Sequence, residues 1–220
     1  MALLAGGGQA ELVAVDRRHV LPVPAAFSDE QAGGFMEVYA TAHDALFTQA
    51  QLAPGERLLV NGAAGGVGVA AVQLGLAAGA DVTANARHHH DDLRAFGATT
   101  EVDGEYDVIL ELVGGDNLAT NLDRLALNGR IALIGMGAGG SAEVDFYMLM
   151  RKRGRIHGST LRARSNDEKA QVVARLGEFL AQHEGRLTVP VEETFPLDRA
   201  QDAYERFRAG GKFGKIVITA

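Results

Sequence analysis

Short apolar runs alternate with stretches of helical periodicity through the middle of the chain. RLLVN (Arg57–Asn61) is set off by APGE before it and glycines after it, which predicts a buried strand. GVGVAAVQLGLAAG then spaces Val67, Ala70, Ala71, Leu74 and Ala78 as one helical face. DVTANA (81–86) reads as a second strand, and DDLRAF as a helix stopped by Gly97. YDVILELV (106–113) is a continuous apolar strand, NLATNLDRLAL an amphipathic helix ending before Gly129, and RIALIG (130–135) and GRIHGST (154–160) are further strands with a short helix, VDFYMLMRK, between them. Val-, Ile- and Leu-rich strands alternating with helices predict an α/β fold with a parallel sheet covered on both faces.

The two ends break this rhythm. DEKAQVVARLGEFLAQHEG is a long helix, RLTVPVEETFP is strand-like around Pro190, LDRAQDAYERFRAG is helical and GKIVIT closes as a strand. The first two dozen residues read as strand and loop, with AELVAV alternating. The ends are expected to belong together, outside the main sheet.

The chain has 220 residues, 47% hydrophobic and 22% charged, enough for a real core. Its formal charge of −7 argues against a nucleic-acid or anionic-membrane partner. It has no cysteine, which removes disulfides, thiol catalysis and thiolate zinc sites. From Leu58 to Ala80 no residue is charged, close to the roughly 20 residues that span a bilayer. Asn61, Gln73 and several glycines interrupt that segment, so strand then helix is the better reading and no membrane partner is expected. Nothing marks a compartment, and cytoplasmic is the default expectation.

The chemistry gathers after RLLVN, in GAAGGVGVAA. Gly65 and Gly68 occupy the second and third glycine positions of GxGxxG, and Ala63 replaces the first. A strand before, a helix opening at the motif and a strand beyond are the context of a dinucleotide site. Gly65 lets the backbone approach a pyrophosphate, Gly68 lets the helix pack against the strand, and the helix N-terminus holds the charge. The bland alternative is a tight turn with no ligand. About 20 residues on, where a ribose-binding acid is usual, stand Asn85, Ala86 and Arg87. An arginine offers planar donors to a 2′-phosphate, and His88 adds another, which favours NADP(H) over NAD(H). The alternative is that Arg87 is an ordinary solvated residue.

The run NARHHHDDL (85–93) is then the rim of an adenosine pocket rather than a metal site, because adjacent histidines diverge and only His88 with Asp92 shares a helical face. Asp91 and Asp92 suit a helix's first turn. His157, inside an apolar strand, reads as a satisfied core histidine, and Tyr106 and Tyr204 as half-buried.

MALLAGGGQAELVAV, NGAAGGVGVAAVQL, YDVILELVGG, LNGRIALIG, GSTLRARSND and the closing GKIVI together resemble the zeta-crystallin-like, zinc-free quinone oxidoreductase branch of the medium-chain dehydrogenase/reductase superfamily. The resemblance implies a Rossmann-type doubly wound domain over 25–164 and a remnant of a GroES-like substrate domain over 1–24 and 165–220. It implies cofactor phosphate contacts at Ala64, Gly65, Gly66, Val67 and Gly68, and a 2′-phosphate contact at Arg87 beside His88. It implies cofactor-lining backbone at Leu112, Val113, Ile134, Gly135 and Met136. Thr41 is expected beside the nicotinamide, with Thr160, Leu161, Arg162 and Lys215 bordering the same cleft. Zinc-dependent relatives carry a Cys ligand near Glu37, and this chain has none. No catalytic side chain is identified.

The implied activity is zinc-free, NADPH-dependent hydride transfer to a quinone or similar electrophilic acceptor, with an enone or enoyl thioester as the neighbouring possibility. The family's N-terminal lobe is absent, so the chain is expected to be a fragment or to carry a misplaced start. The alternative reading is a truncated NADPH-binding module with little or no turnover. A crossover helix is expected to be missing between Gly97 and Asp107, and a homodimer is expected through the sheet edge near GRIHGST.

Overall fold

A computed structural model describes residues 1–115 and 117–220. Five strands form one parallel sheet: β1 (Arg57–Asn61), β2 (Asp81–Asn85), β3 (Tyr106–Glu111), β4 (Leu125–Leu133) and β5 (Arg155–Gly158), in spatial order β2-β1-β3-β4-β5. The chain runs from β1 outward to β2, then returns past β1 to β3, so the topological switch lies between β1 and β3. Strand periodicity sorts the core. Leu58, Val60, Val108, Leu110 and Ala132 enter one cluster, and Leu59, Ile109 and Ile131 enter a second. Side chains at i and i+2 share a face, so both faces are buried and the sheet is doubly wound.

On the larger cluster's side lie α1 (Asp29–His43) and α2 (Gly66–Ala77), which pack on each other. α3 (His90–Ala95) follows β2. α4 (Asn117–Asp123) and α5 (Phe146–Lys152) cover the smaller cluster through Leu118, Leu122, Met148 and Leu149. The C-terminal part comprises α6 (Asn166–Gln182), β6 (Val191–Pro196), α7 (Ala200–Ala209) and β7 (Lys215–Thr219). β6 and β7 pair in parallel as a separate two-stranded sheet.

The ends do meet. The Arg18 guanidinium donates to Asp167, and His19 Nε2 meets the Asn166 carbonyl at 2.8 Å. They are also bound to the middle of the chain. The Gln73 side chain on α2 accepts from Thr188 N–H at 2.8 Å and donates to Thr188 O at 2.9 Å, as a neighbouring strand would. Tyr39 Oη donates to the same carbonyl at 2.7 Å.

Several elements differ from the sequence-based expectation. α1 is not signalled by a clean periodic stripe. It is announced by a capping box, in which Ser28 accepts from Gln31 N–H and the Gln31 side chain accepts from Ser28 N–H. It continues as a π-helical turn over Asp44–Gln49. AELVAV forms no strand: the N-terminal segment pairs only through an isolated Ala2–Val20 bridge, and Leu12 is fully exposed. β3 ends at Glu111, because the next amides, of Val113 and Gly114, turn back to the Glu111 carboxylate. The helix expected to reach Leu127 stops at Asp123. Leu125, fully buried, is drawn into the sheet opposite Tyr106, whose N–H donates to Arg124 O. Tyr106 itself is completely buried, with Arg57 over its ring. His157 is not satisfied: its buried Nε2 has no partner. As expected, no helix intervenes between Gly97 and Asp107, where Thr99 alone pairs with Thr83 at the sheet edge.

Gly68 shows why the turn after β1 needs its glycines. A Cβ there would lie 2.3 Å from Gly62 O and 2.6 Å from Ala63 Cα, both backbone atoms that cannot give way cheaply. Gly68→Ala is expected to force α2 off β1, lowering the melting temperature by several degrees and weakening any ligand held by the turn. An unchanged melting curve would show that the backbone there has room to give.

His43 is buried against Phe47 and Phe179. Burial pushes its imidazole down to about 4, opposed by Asp44 and assisted by Arg175. The folded protein therefore keeps it neutral, while the unfolded chain protonates it near 6.5. The stability from this group is full above about 6.5 and drains as pH falls toward about 4, by roughly 3 kcal/mol. Denaturant melts across that window should show the loss in the parent protein and a shallower slope in His43→Phe.

Candidate functional site

The carboxyl ends of β1, β2 and β3 converge at the switch point. After Asn61 the chain turns through Gly62, at φ +80°, and Gly62 and Ala63 donate to the Asn85 carbonyl at the end of β2. Gly65 is the N-cap of α2 and brings no side chain to it. The opening N–H groups of that helix are thus uncapped, and its first turn carries no acid.

Two cavities adjoin this turn. One, of about 540 Å³, lies against α1 and is lined there by Glu37, Val38, Thr41 and Asp44. The other, of about 620 Å³, lies against the end of β2 and is lined there by Asn85 to His89. They share Gly62, Gly65, Leu112 and Lys212, so they form one cleft with the glycine turn at its seam.

The structure brings most of the expected residues to the cleft. Gly66, Val67, Gly68, Ile134, Gly135, Thr160, Leu161, Arg162 and Lys215 join Thr41 around the α1 cavity. Ala64, Arg87, His88 and Val113 line the β2 cavity. Met136 lines neither; its backbone instead packs against Gly114, where a Cβ would come within 2.7 Å of Met136 Cα. Arg87 and His88 are exposed, and no carboxylate stands among the described residues that line the β2 cavity.

The histidine run has a different key member than its spacing suggests. His89, in the left-handed conformation at φ +67°, precedes α3, which begins at His90. Its Nδ1 meets Asp92 Oδ2 at 3.0 Å and its Nε2 meets Gly211 O at 3.0 Å. Those two acceptors raise its pKa, Gly211 most. His89 also stacks on Phe213, 5.3 Å between centroids. It ties the rim of the β2 cavity to the loop before β7.

Two other features escape sequence reasoning. Glu111 is completely buried, and its carboxylate accepts from Asn61 and Asn121 side chains and from the Val113 and Gly114 amides at 2.7–2.8 Å, with Asn117 at 3.4 Å. Asn85 donates to Asn61 Oδ1 at 2.8 Å, so its side chain serves this network. Asp44 is 3% exposed and pairs with Arg164 Nη2 at 2.5 Å, which raises the arginine's pKa; Arg164 also donates to Ser159 Oγ at 2.7 Å. Asp44 Oδ1 and Thr41 Oγ1 are buried without partners. Nothing local in the sequence pairs Asp44 with a residue 120 positions away.

Residues 78–218, more than half of the chain, match the family model described as zinc-binding dehydrogenase. A quinone oxidoreductase from Lama guanicoe is 30% identical, the match covering 96% of this chain and 69% of that protein. The quinone oxidoreductase of Thermus thermophilus, solved alone and in complex with NADPH, superposes with a TM-score of 0.86 at 32% identity, covering 100% of this chain and 76% of that one. The CurK enoyl reductase superposes with a TM-score of 0.75 at 25% identity, covering 93% of this chain and 67% of that one. The chain belongs to the zinc-binding dehydrogenase family of medium-chain dehydrogenases/reductases, as a quinone oxidoreductase-like member.

Proposed function

We propose that this protein binds NADP(H) in the cleft and carries out hydride transfer to a quinone or a similarly activated acceptor without a metal ion. One observation carries the reading: the cleft crosses an uncapped glycine turn at the switch point and ends on Arg87 and His88, with no carboxylate among the described residues around them. A dinucleotide fits this shape. Gly65 and Gly68 keep side chains away from the phosphate path, and Arg87 offers planar donors to a 2′-phosphate. When bound, the cofactor supplies the hydride. The chain's own residues position and exclude water: Thr41, Thr160 and Leu161 wall the α1 cavity, whose lining also carries Arg162 and Lys215 alongside Glu37 and Asp44. A reduced quinone takes its proton from water, so no dedicated acid is required. The absence of cysteine from the sequence supports a reaction without thiolate-held zinc.

In this reading residues 25–164 are the dinucleotide-binding domain, and 1–24 with 165–220 belong to a substrate domain. The separate β6–β7 sheet supports that division. An enone or enoyl thioester is the second acceptor class, supported by the likeness to CurK. The molecule is also proposed to pair through β5, an edge strand. Phe146, Tyr147 and Met150 on the neighbouring α5 are all at least 70% exposed and lie on one helical face.

Thermal shift with each nucleotide, followed by NADPH oxidation with 1,4-benzoquinone, tests the function. NADPH should stabilise the protein more than NADH, and Arg87→Ala should weaken NADPH binding about 10-fold while leaving NADH nearly unchanged. No shift with either nucleotide would refute the cofactor reading, and binding without oxidation would make the chain a nucleotide-binding module. For the pairing, light scattering should report a dimer that Met150→Glu converts to monomer; a monomeric parent protein would refute it.

A further inference from the structure

Lys212 is the only basic residue, among the described residues, that lines both halves of the cleft. It stands at the seam with Gly62 and Gly65, in a loop outside the parallel sheet. That loop is fixed against the glycine turn from two sides. Gly214 N–H donates to Ala64 O at 2.9 Å, and the Gly211 carbonyl meets His89 Nε2 at 3.0 Å. The Lys212 ammonium donates to Gly214 O at 2.8 Å and lies 5.3 Å from the Phe207 ring centre. No carboxylate contacts it among the described residues. It is half-buried, and burial first, then Lys215, lowers its pKa. A cation is therefore held partly desolvated, with donors to spare and no carboxylate in contact among the described residues, Glu192 acting on it only at a distance.

We propose that Lys212 is a cofactor-binding residue that takes the diphosphate linkage of the dinucleotide. The inference rests on the dinucleotide reading above. The diphosphate is the charged group that joins the two halves of such a ligand, and the seam is where those halves meet. The opening amides of α2 approach it from one side, and Lys212 from the other. Lys215, which lines only the α1 cavity, and Arg87, which lines only the β2 cavity, are left to the ends.

Ligand fragments separate these roles. Dissociation constants are measured by titration calorimetry on the full chain for NADPH, ADP-ribose and adenosine 2′-monophosphate. Lys212→Ala should weaken NADPH and ADP-ribose by roughly 10-fold or more, and adenosine 2′-monophosphate, which has no 5′-phosphate, by less than about 3-fold. Lys212→Arg should stay within about 3-fold of the parent for all three. Arg87→Ala should give the opposite pattern, sparing ADP-ribose. A matching melting temperature confirms that Lys212→Ala is folded, and Lys212→Arg carries the test if it is not. Unchanged ADP-ribose binding in Lys212→Ala, or weaker ADP-ribose binding in Lys212→Arg equal to that in Lys212→Ala, would overturn the proposal. Equal losses for adenosine 2′-monophosphate would also overturn it, placing Lys212 on the 2′-phosphate. A parent protein that binds none of the three ligands would instead refute the dinucleotide reading itself.

Discussion

The cleft depends on one buried carboxylate. Glu111 ends β3 at the switch point with no exposed surface, and five N–H groups converge on its two oxygens. Burying a charge is costly unless every lone pair finds a donor. Here the donors come from β1, from α4 and from the turn that follows β3, while β2 joins through Asn85 and Asn61. The network fixes the relative height of three strand ends. It also occupies Asn85, at the position where a ribose-binding acid is expected, and the exposed Arg87 and His88 follow it at the far end of the cleft. Removing the carboxylate would strand several buried amides at once, a larger penalty than one lost hydrogen bond.

Given that floor, the remaining walls are set by close backbone approach and by borrowed segments. Gly68 and Gly135 allow near-contact with the backbone of Gly62 and Leu112. The opposite wall comes from the C-terminal part of the chain. The Gln73 amide, acting as a one-residue strand, holds Thr188, and Gly214 bonds to Ala64 beside the glycine turn. The protein is acidic overall, yet Arg87, Arg162, Lys212 and Lys215 all reach the cleft.

What the sequence made legible follows from range. β1, β2 and α2 are local: apolar runs and glycines at fixed offsets determine them, and their bounds agree within a few residues. α1 was hidden because it is buried on most of its surface, with Phe35, Met36, Val38, Tyr39 and Ala40 all inside, so no clean stripe appears. Its capping box, Ser28 to Gln31, was the available signal. The C-terminal half of the expected helix 117–127 was lost to the sheet because Leu125 fills a pocket beside Tyr106, a contact no local pattern reports. The HHHDD run shows the limit at a site. Helical spacing favoured His88 with Asp92, but the left-handed residue is His89, and its partner Gly211 lies 122 positions away. Asp44 with Arg164 and Glu111 with its asparagines are long-range in the same way.

The least satisfied part of the molecule is the turn where α1 becomes a π-helix. Of the four buried side-chain atoms without partners among the described residues, Thr41 Oγ1, His43 Nδ1 and Asp44 Oδ1 lie within four consecutive positions. Buried polar groups are normally paired, and exceptions concentrate where function imposes them. The three divide by direction. His43 packs among Phe47 and Phe179, on the side of α1 toward α6, and burial keeps it neutral. Thr41 and Asp44 instead line the α1 cavity, and Arg164 secures only one oxygen of Asp44. The π-helical turn shifts the helical register at Asp44, the position where a carboxylate is brought both to the cavity and to Arg164. The cleft thus has two chemically distinct ends. The β2 end carries Arg87 and His88 with no acid among the described lining residues, whereas the α1 end has Glu37 and Asp44 beside Arg162 and Lys215, against a helix whose polar atoms are incompletely paired. Hydride transfer needs that second kind of surface, one that orients a neutral ring and its acceptor while keeping bulk water out.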